Sequence, residues 1–296
     1  MSETSAVSEG ALTGIRVIDL TRILAGPFCT MLLADMGAEV IKIESPSGGD
    51  AIRTQGVIKD GMSWYFAQFN RNKKSVTLDL YTDEGKAKLS ALLESADVLV
   101  ENFRPGVLAK MGFDEARLKQ LNPKLIVGSV NGYGSTGPYV DRPSFDFIAQ
   151  AMSGFMSLTG EIEGEPMRAA PPMADLIAGL YCAFGVVTAL AARYRTGEGQ
   201  YIESSLNNSL ISMMAFLSAE YFATGKPPAR SGNNHAIVAP YGMFKAKNGA
   251  IAVAPSNETY AIRFLDAVGL GHLMEDDRFR TNADRMRNRG ELLEGI

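Results

Sequence analysis

The chain has 296 residues, 46% of them hydrophobic and 21% charged, which suffices for one large soluble domain and part of a second. A net charge of −4 provides no global basic field, so charge-driven binding to nucleic acid or an anionic membrane is excluded. Two separated cysteines, Cys29 and Cys182, and two separated histidines, His235 and His272, give no disulfide framework, zinc motif or HExxH pair, so the expected setting is a reducing cytoplasm without a metal.

Residues 1–12 are polar, lack a basic-then-apolar signal pattern and read as a disordered leader. Residues 15–20 (IRVIDL) read as a buried strand, 27–36 (PFCTMLLADM) as a helix ended by Gly37, and 40–44 (VIKIE) as the next strand. The alternation continues with a strand over 75–80, a helix over 83–95, a strand over 97–101, two short helices within 107–120 and a strand over 125–130. Such alternation predicts an α/β domain with a doubly wound parallel sheet.

From residue 145 long apolar helices take over, at 145–158, 173–194 and 206–224, with a short strand at 201–204. The run 173–192 is long enough to span a bilayer, but it is rich in Ala and Gly, carries Asp175 and has no second spanning partner, so it reads as a buried helix. Residues 226–234 (KPPARSGNN) form a linker. A hairpin follows at 241–246 and 250–254, joined by 247–249 with its Asn248-Gly249 signal, and then helices at 259–268 and 284–293. The domain reading is therefore a large domain over 13–225 and a smaller α/β domain over 235–296.

No GxGxxG follows the first strand; residues 22–27 read RILAGP, which argues against a usual NAD-dependent enzyme, and no Walker A sequence is present. Residues 101–106 (ENFRPG) end a strand where open α/β sheets bind ligands, and there Arg104 and Lys110 are either phosphate partners or a solvated turn. The glycine-rich segment 131–138 (NGYGSTGP) is either a close-approach loop or a surface turn. His235 is a general base or a structural loop residue, His272 has no assigned role, and the methionines of 211–214 (ISMM) read as core. Asp175 is the only charge in 173–192 and follows Pro171 and Pro172 at a helix start. It is either a helix cap or a partly desolvated carboxylate nucleophile, kept ionised by the helix dipole.

The succession GIRVIDLTRILAGPFCTMLLADMGAEVIKIE, NRNKKSVTLDL, ADVLVENFRPGVLAKMGF, GYGSTGP and PMADLIAGLYCAFG resembles the class III coenzyme A transferases of the CaiB/BaiF type. Formyl-CoA transferase, carnitine CoA-transferase and the α-methylacyl-CoA racemases belong to that family, and the match runs almost without gaps from Leu12 onward. The resemblance implies a Rossmann-like large domain, a smaller domain reached by a linker, and an interlocked homodimer. It also implies a C-terminal segment that returns to the large domain, so 235–296 reads as an incomplete small domain.

The resemblance places the family's catalytic aspartate on Asp175, which would attack an acyl-CoA thioester, form a mixed anhydride and later an aspartyl-CoA thioester. It makes CoA thioester the substrate, with no resident cofactor, and a carboxylic acid the acceptor. The CoA-binding set it implies is Arg22, Ala25, Asn102, Phe103, Arg104 and Lys110, joined by Arg142 and Phe145. Leu24 replaces a glutamine of formyl-CoA transferase, Ser45 replaces an arginine, and residues 231–242 (SGNNHAIVAPYG) replace its multi-glycine loop, which argues against oxalate and formate. Residues 143–147 (PSFDF) put Phe145 at the position of the racemases' histidine, so a 2-methylacyl-CoA racemase is the alternative, and an inactive acyl-CoA-binding protein the second.

Overall fold

The structure, a computed structural model, describes residues 10–296. Most of the leader read over 1–12 lies outside these residues; its last residue, Leu12, is buried and its N–H donates to the Met36 carbonyl at 2.9 Å.

Strand β1 (Arg16–Asp19), helix α1 (Ala25–Asp35) and strand β2 (Glu39–Glu44) come first. A hairpin of β3 (Ile58–Lys59) and β4 (Met62–Ser63), helix α2 (Trp64–Asn70) and strand β5 (Lys73–Thr77) follow. Next are α3 (Asp83–Glu94), β6 (Val98–Glu101), α4 (Val107–Lys110), α5 (Glu115–Leu121) and β7 (Ile126–Asn131). The chain continues through α6 (Asp146–Met152), α7 (Phe155–Leu158), α8 (Met173–Thr196), β8 (Tyr201–Ser205), α9 (Leu206–Met213) and α10 (Phe216–Thr224). It closes with the hairpin β9 (Gly242–Ala246) and β10 (Gly249–Val253), then α11 (Glu258–Ala267), α12 (Asn282–Arg287) and α13 (Arg289–Gly295).

These elements fall into two units, the first ending at Phe155 and resuming over Ala169–Ala215, the second made of Met156–Arg168 and Phe216–Ile296. The first holds a six-stranded sheet in the order β5-β2-β1-β6-β7-β8, every neighbouring pair parallel. Successive strand residues point to opposite faces, and both faces are buried. Val17, Val98, Val100 and Ile126 join Cys29, Leu33, Ala178, Cys182 and Val186 on one side. Ile18, Leu99 and Val127 join Leu89, Leu93 and Leu118 on the other. This is the doubly wound α/β arrangement expected from the alternation.

Helix α8 is long and apolar enough to cross a membrane, yet its Ile177, Ala178, Cys182 and Val186 face lies in the first core. Small residues let it approach closely: a Cβ on Gly179 would stand 2.4 Å from the Ala25 carbonyl oxygen of α1.

The second unit holds the antiparallel β9–β10 hairpin and a core of Ala239, Leu265, Phe279 and Leu292 built with helices α11 to α13. Arg285 is fully buried among them, donating to the Ala239 carbonyl at 2.7 Å, the Phe279 carbonyl at 3.0 Å and Glu258 at 2.8 Å. The expected large domain, 13–225, extends further than the first unit: α10 and residues 156–168 go with the second. Arg230 ties that segment down by donating to the carbonyls of Ser157, Glu161 and Gly164.

Two expected helices are each broken. The helix read over 206–224 stops at Met213, and Ala215 takes a φ of 49° before α10 begins. The helix read over 145–158 is interrupted by Gly154, whose φ is 85°.

Candidate functional site

The chain winds outward from β1 through β2 to β5 on one side and through β6, β7 and β8 on the other, so the loops after β1 and β6 part at their carboxyl ends. Such a point is where open α/β sheets form a ligand crevice. The two loops are stitched together by one side chain. Asn102 accepts the Arg22 N–H on Oδ1 at 2.9 Å and donates from Nδ2 to the Arg22 carbonyl at 2.8 Å. The Arg22 guanidinium lies 5.3 Å from the centre of the Phe103 ring. A cleft of about 120 Å³ opens here, lined by Arg22, Ser45, Asp79, Leu80, Tyr81 and Phe103 among others. Arg22, Arg104 and Lys110 are exposed, and none of them forms an ion pair among the described residues. Arg22 lines this cleft, whereas Arg104, three residues past β6, and Lys110, at the end of α4, do not; exposed cations of this kind attract phosphate.

The nearby start of α1 is built without a side-chain cap. Leu24 is its N-cap residue, and Ala25 and Gly26 begin the helix, both buried. Gly26 has no room for a side chain: a Cβ there would stand 2.5 Å from the Thr21 side chain and 3.1 Å from Asn102 Cγ.

Asp175 is the third residue of α8, and the N-cap position belongs to Pro172, which offers no side-chain cap. The capping alternative therefore fails. Among the described residues the Asp175 carboxylate takes no hydrogen bond. The start of α8 is held instead by Asp146 of α6, which accepts the Ala174 N–H at 2.8 Å and the Gln150 side-chain amide at 2.8 Å. Gln150 in turn accepts the Ala169 N–H at 2.8 Å. Burial, and after it the Asp146 carboxylate, push the Asp175 pKa up to about 7. Burial and the Asp146 carboxylate thus oppose the helix dipole, which favours the ionised form.

Gly179 lies four residues after Asp175, on the same helix face, and touches the Ala25 carbonyl. The nucleophile candidate therefore stands one turn from the contact between α8 and the start of α1. Tyr65, in the first turn of α2, belongs to the same neighbourhood. Burial, then the carboxylates of Asp175 and Asp50, raise its phenol to about 12.

Residues 12–296 match CoA-transferase family III. The chain belongs to that family. Among curated family members, it is 42% identical over 288 residues to the succinate–glutarate CoA-transferase of Agrobacterium fabrum, covering 95% of this chain and 72% of that one. It is 40% identical over 294 residues to the acetyl-CoA:oxalate CoA-transferase of Acetobacter aceti, covering 99% and 76%. It is 38% identical over 283 residues to the human succinyl-CoA:glutarate CoA-transferase, covering 95% and 65%. This chain thus spans about two thirds to three quarters of these relatives' lengths. Among solved structures, a CaiB/BaiF family protein from Brucella suis aligns with a TM-score of 0.84 at 40% identity, covering 97% of this chain and 77% of that one. The hypothetical protein Rv3272 from Mycobacterium tuberculosis aligns with a TM-score of 0.86 at 31% identity, covering 97% and 76%.

Within this family III fold, the remaining expected residues scatter. Arg142 stacks on Tyr139, 4.3 Å from the ring centre, and Phe145 is 69% exposed at the N-cap of α6. The glycine-rich loop after β7 is pinned to β8: Asn131 donates to Glu203 at 2.8 Å and accepts the Gly134 N–H at 2.5 Å, and Ser135 donates to Glu203 at 3.1 Å. His235 is in the second unit, with Phe216 stacked at 5.4 Å and Tyr241 tilted against it at 4.7 Å, and its Nδ1 accepts the Ile237 N–H at 3.3 Å. With its ring packed and Nδ1 occupied, it fits the structural alternative. Sequence reasoning missed Tyr65, Asp50, Gln150 and the role of Asp146. The Asp60-Gly61 turn pointed to a hairpin just before Tyr65, but nothing in the sequence marks which polar residues meet across the fold.

Proposed function

We propose that this protein moves CoA from an acyl-CoA to a free carboxylic acid, with Asp175 as the nucleophile. The reading rests on one observation above all: a largely buried carboxylate with no hydrogen-bond partner, one helical turn from the contact between α8 and the start of α1 in a family III fold. An unbonded, desolvated carboxylate is a stronger nucleophile than a solvated one, and a pKa near 7 leaves a large ionised fraction at neutral pH.

In this reading the Asp175 carboxylate attacks the thioester carbonyl. The C–S bond breaks, CoA thiolate leaves and a mixed anhydride remains. The thiolate then attacks the aspartyl carbonyl of that anhydride, releasing the donor acid and forming an aspartyl-CoA thioester. The acceptor carboxylate repeats the exchange in reverse order, and Asp175 is regenerated. Arg22, Arg104 and Lys110 hold the phosphates of CoA, and Asn102 and Ala25 orient the chain leading to the thioester. No resident cofactor enters the scheme.

The acids named for the relatives are short dicarboxylates, glutarate, mesaconate and oxalate among them, with succinyl-CoA or acetyl-CoA as donor. A short dicarboxylic acceptor is therefore proposed here. Oxalate stays in the panel because of the Acetobacter relative, although Leu24 and Ser45 argue against it. A cytoplasmic homodimer, interlocked as in the family, completes the proposal. Exposed Leu180, Tyr181 and Phe184 along α8 supply apolar surface for a partner copy.

The test is transfer from succinyl-CoA to each acid of a panel, with new acyl-CoA separated and identified by mass. A new acyl-CoA with one short dicarboxylate is expected. CoA binding without turnover under every pair would make this an inactive binding protein. Exchange of an α-proton of 2-methylacyl-CoA for deuterium without any acceptor would make it a racemase.

A further inference from the structure

Lys42 and Asp50 form an ion pair at 3.1 Å whose side chains are each only 1% exposed. Removing two charges from water costs so much that a buried pair rarely adds net stability, so its presence calls for another account. Both groups bond the backbone on either side of one residue, and Asp50 Oδ1 also accepts the Ile52 N–H at 3.2 Å, capping the short helix over 51–54. Lys42 Nζ donates to the Thr21 carbonyl at 2.7 Å, while both Asp50 oxygens accept the Ile23 N–H at 3.2 Å. Between them stands Arg22, whose own N–H and carbonyl are taken by Asn102.

Ile23 has a φ of 68°, in the left-handed region that a β-branched side chain strongly disfavours. Such a conformation persists only where the surroundings over-determine it, and it tends to mark a functional site. Here the consequences fall on both neighbours. Arg22 is turned toward the cleft over Phe103, and Leu24 is delivered as the first residue of the α1 boundary, beside the Ala25 carbonyl that abuts Gly179.

We propose that Lys42 and Asp50 are positioning residues, a buried ionic clamp that holds Ile23 left-handed and so fixes where Arg22 and Leu24 stand in the transfer site. The inference rests on the transferase reading for its consequence in activity, but not for the geometry of the loop. An ionic clamp suits this task because it resists the relaxation that strain at Ile23 would otherwise drive.

The test uses the double variant K42M/D50L in the full chain. Both replacements are apolar, Met matching Lys in length and Leu matching the branching of Asp, so the core stays filled while the loop loses both anchors. Amide hydrogen exchange is read for residues 21–26 and for the strands, beside transfer from succinyl-CoA. Exchange in the loop is expected to rise about ten-fold with the strands unchanged. The kcat is expected to fall roughly 10- to 100-fold, as for a displaced positioning element. Adding Ile23→Asn, which tolerates the left-handed region, is expected to restore kcat by about three-fold. Unchanged exchange at 21–26 overturns the proposal, as does a double variant that fails to fold, which would assign the pair to stability alone. Loss of kcat that Ile23→Asn leaves unrelieved also overturns it. A wild-type protein without transfer activity would sink the functional reading, and the exchange arm would still decide the clamp.

Discussion

Asp175 titrates near pH 7, against an ordinary value of 3.8, because burial and then the Asp146 carboxylate disfavour its charge. Its folded pKa is raised, so the folded chain binds this proton more tightly than the unfolded chain. Stability from this group is greatest below the unfolded value and falls as pH rises to about 7, beyond which the cost is constant. That cost is about 4 kcal/mol at pH 8. Asp175→Asn should therefore be more stable than wild type in urea unfolding, by a margin that grows from pH 5 to pH 8, while losing transfer activity. In the proposed mechanism the ionised form attacks, so kcat/KM should rise with pH through about 7. Asp146→Asn removes the neighbouring like charge and should move that midpoint downward. An unmoved midpoint would mean that the two carboxylates do not communicate. Asp175 itself was legible in the sequence, because a lone charge in an apolar run stands out. Asp146 and Tyr65 were not, because they act on it only through folding from distant segments, and Gln150 was not, because it bonds Asp146.

Helix α8 meets α1 at Gly179, where a Cβ would stand 2.4 Å from the Ala25 carbonyl oxygen. In an open helix Gly→Ala gains about 0.5–1 kcal/mol of stability. Overpacking against a backbone carbonyl costs about 1–3 kcal/mol, so the sign reverses here. Gly179→Ala should lower the urea midpoint, whereas Gly290→Ala in α13, with nothing within 4 Å of the new Cβ, should raise it. The same sign for both would show that the α1–α8 contact relaxes freely. Elements with both faces buried could be read from their runs of β-branched residues, as in β1, β2, β6 and β7. The β3–β4 hairpin escaped notice because its strands have two residues each, although Asp60 and Gly61 both take the positive φ of 52° and 76° that their Asp-Gly turn favours. The break at Ala215 was hidden because apolar spacing continues across it without Gly or Pro.

At the scale of the whole chain, the two units have separate cores, and the second depends on a charge. Arg285→Ala would leave the Ala239 and Phe279 carbonyls without their donor, at a cost of roughly 3 kcal/mol. Hydrogen exchange should accelerate across 235–296 and remain unchanged in the strands of the sheet; acceleration in both would show that the units unfold together. The Pro/Gly-rich segment 226–234 is conspicuous in the sequence but lies inside the second unit, and neither the division after Ala215 nor the return of 156–168 to Arg230 carries a local signal.

The central claim is that acyl and CoA pass through the Asp175 carboxylate. Incubation with succinyl-CoA, quenching with hydroxylamine and peptide mass spectrometry test it most directly. A hydroxamate on Asp175, absent without the thioester, is the predicted result. An unmodified Asp175 in a chain that still transfers CoA, with full activity retained in Asp175→Ala, would contradict it.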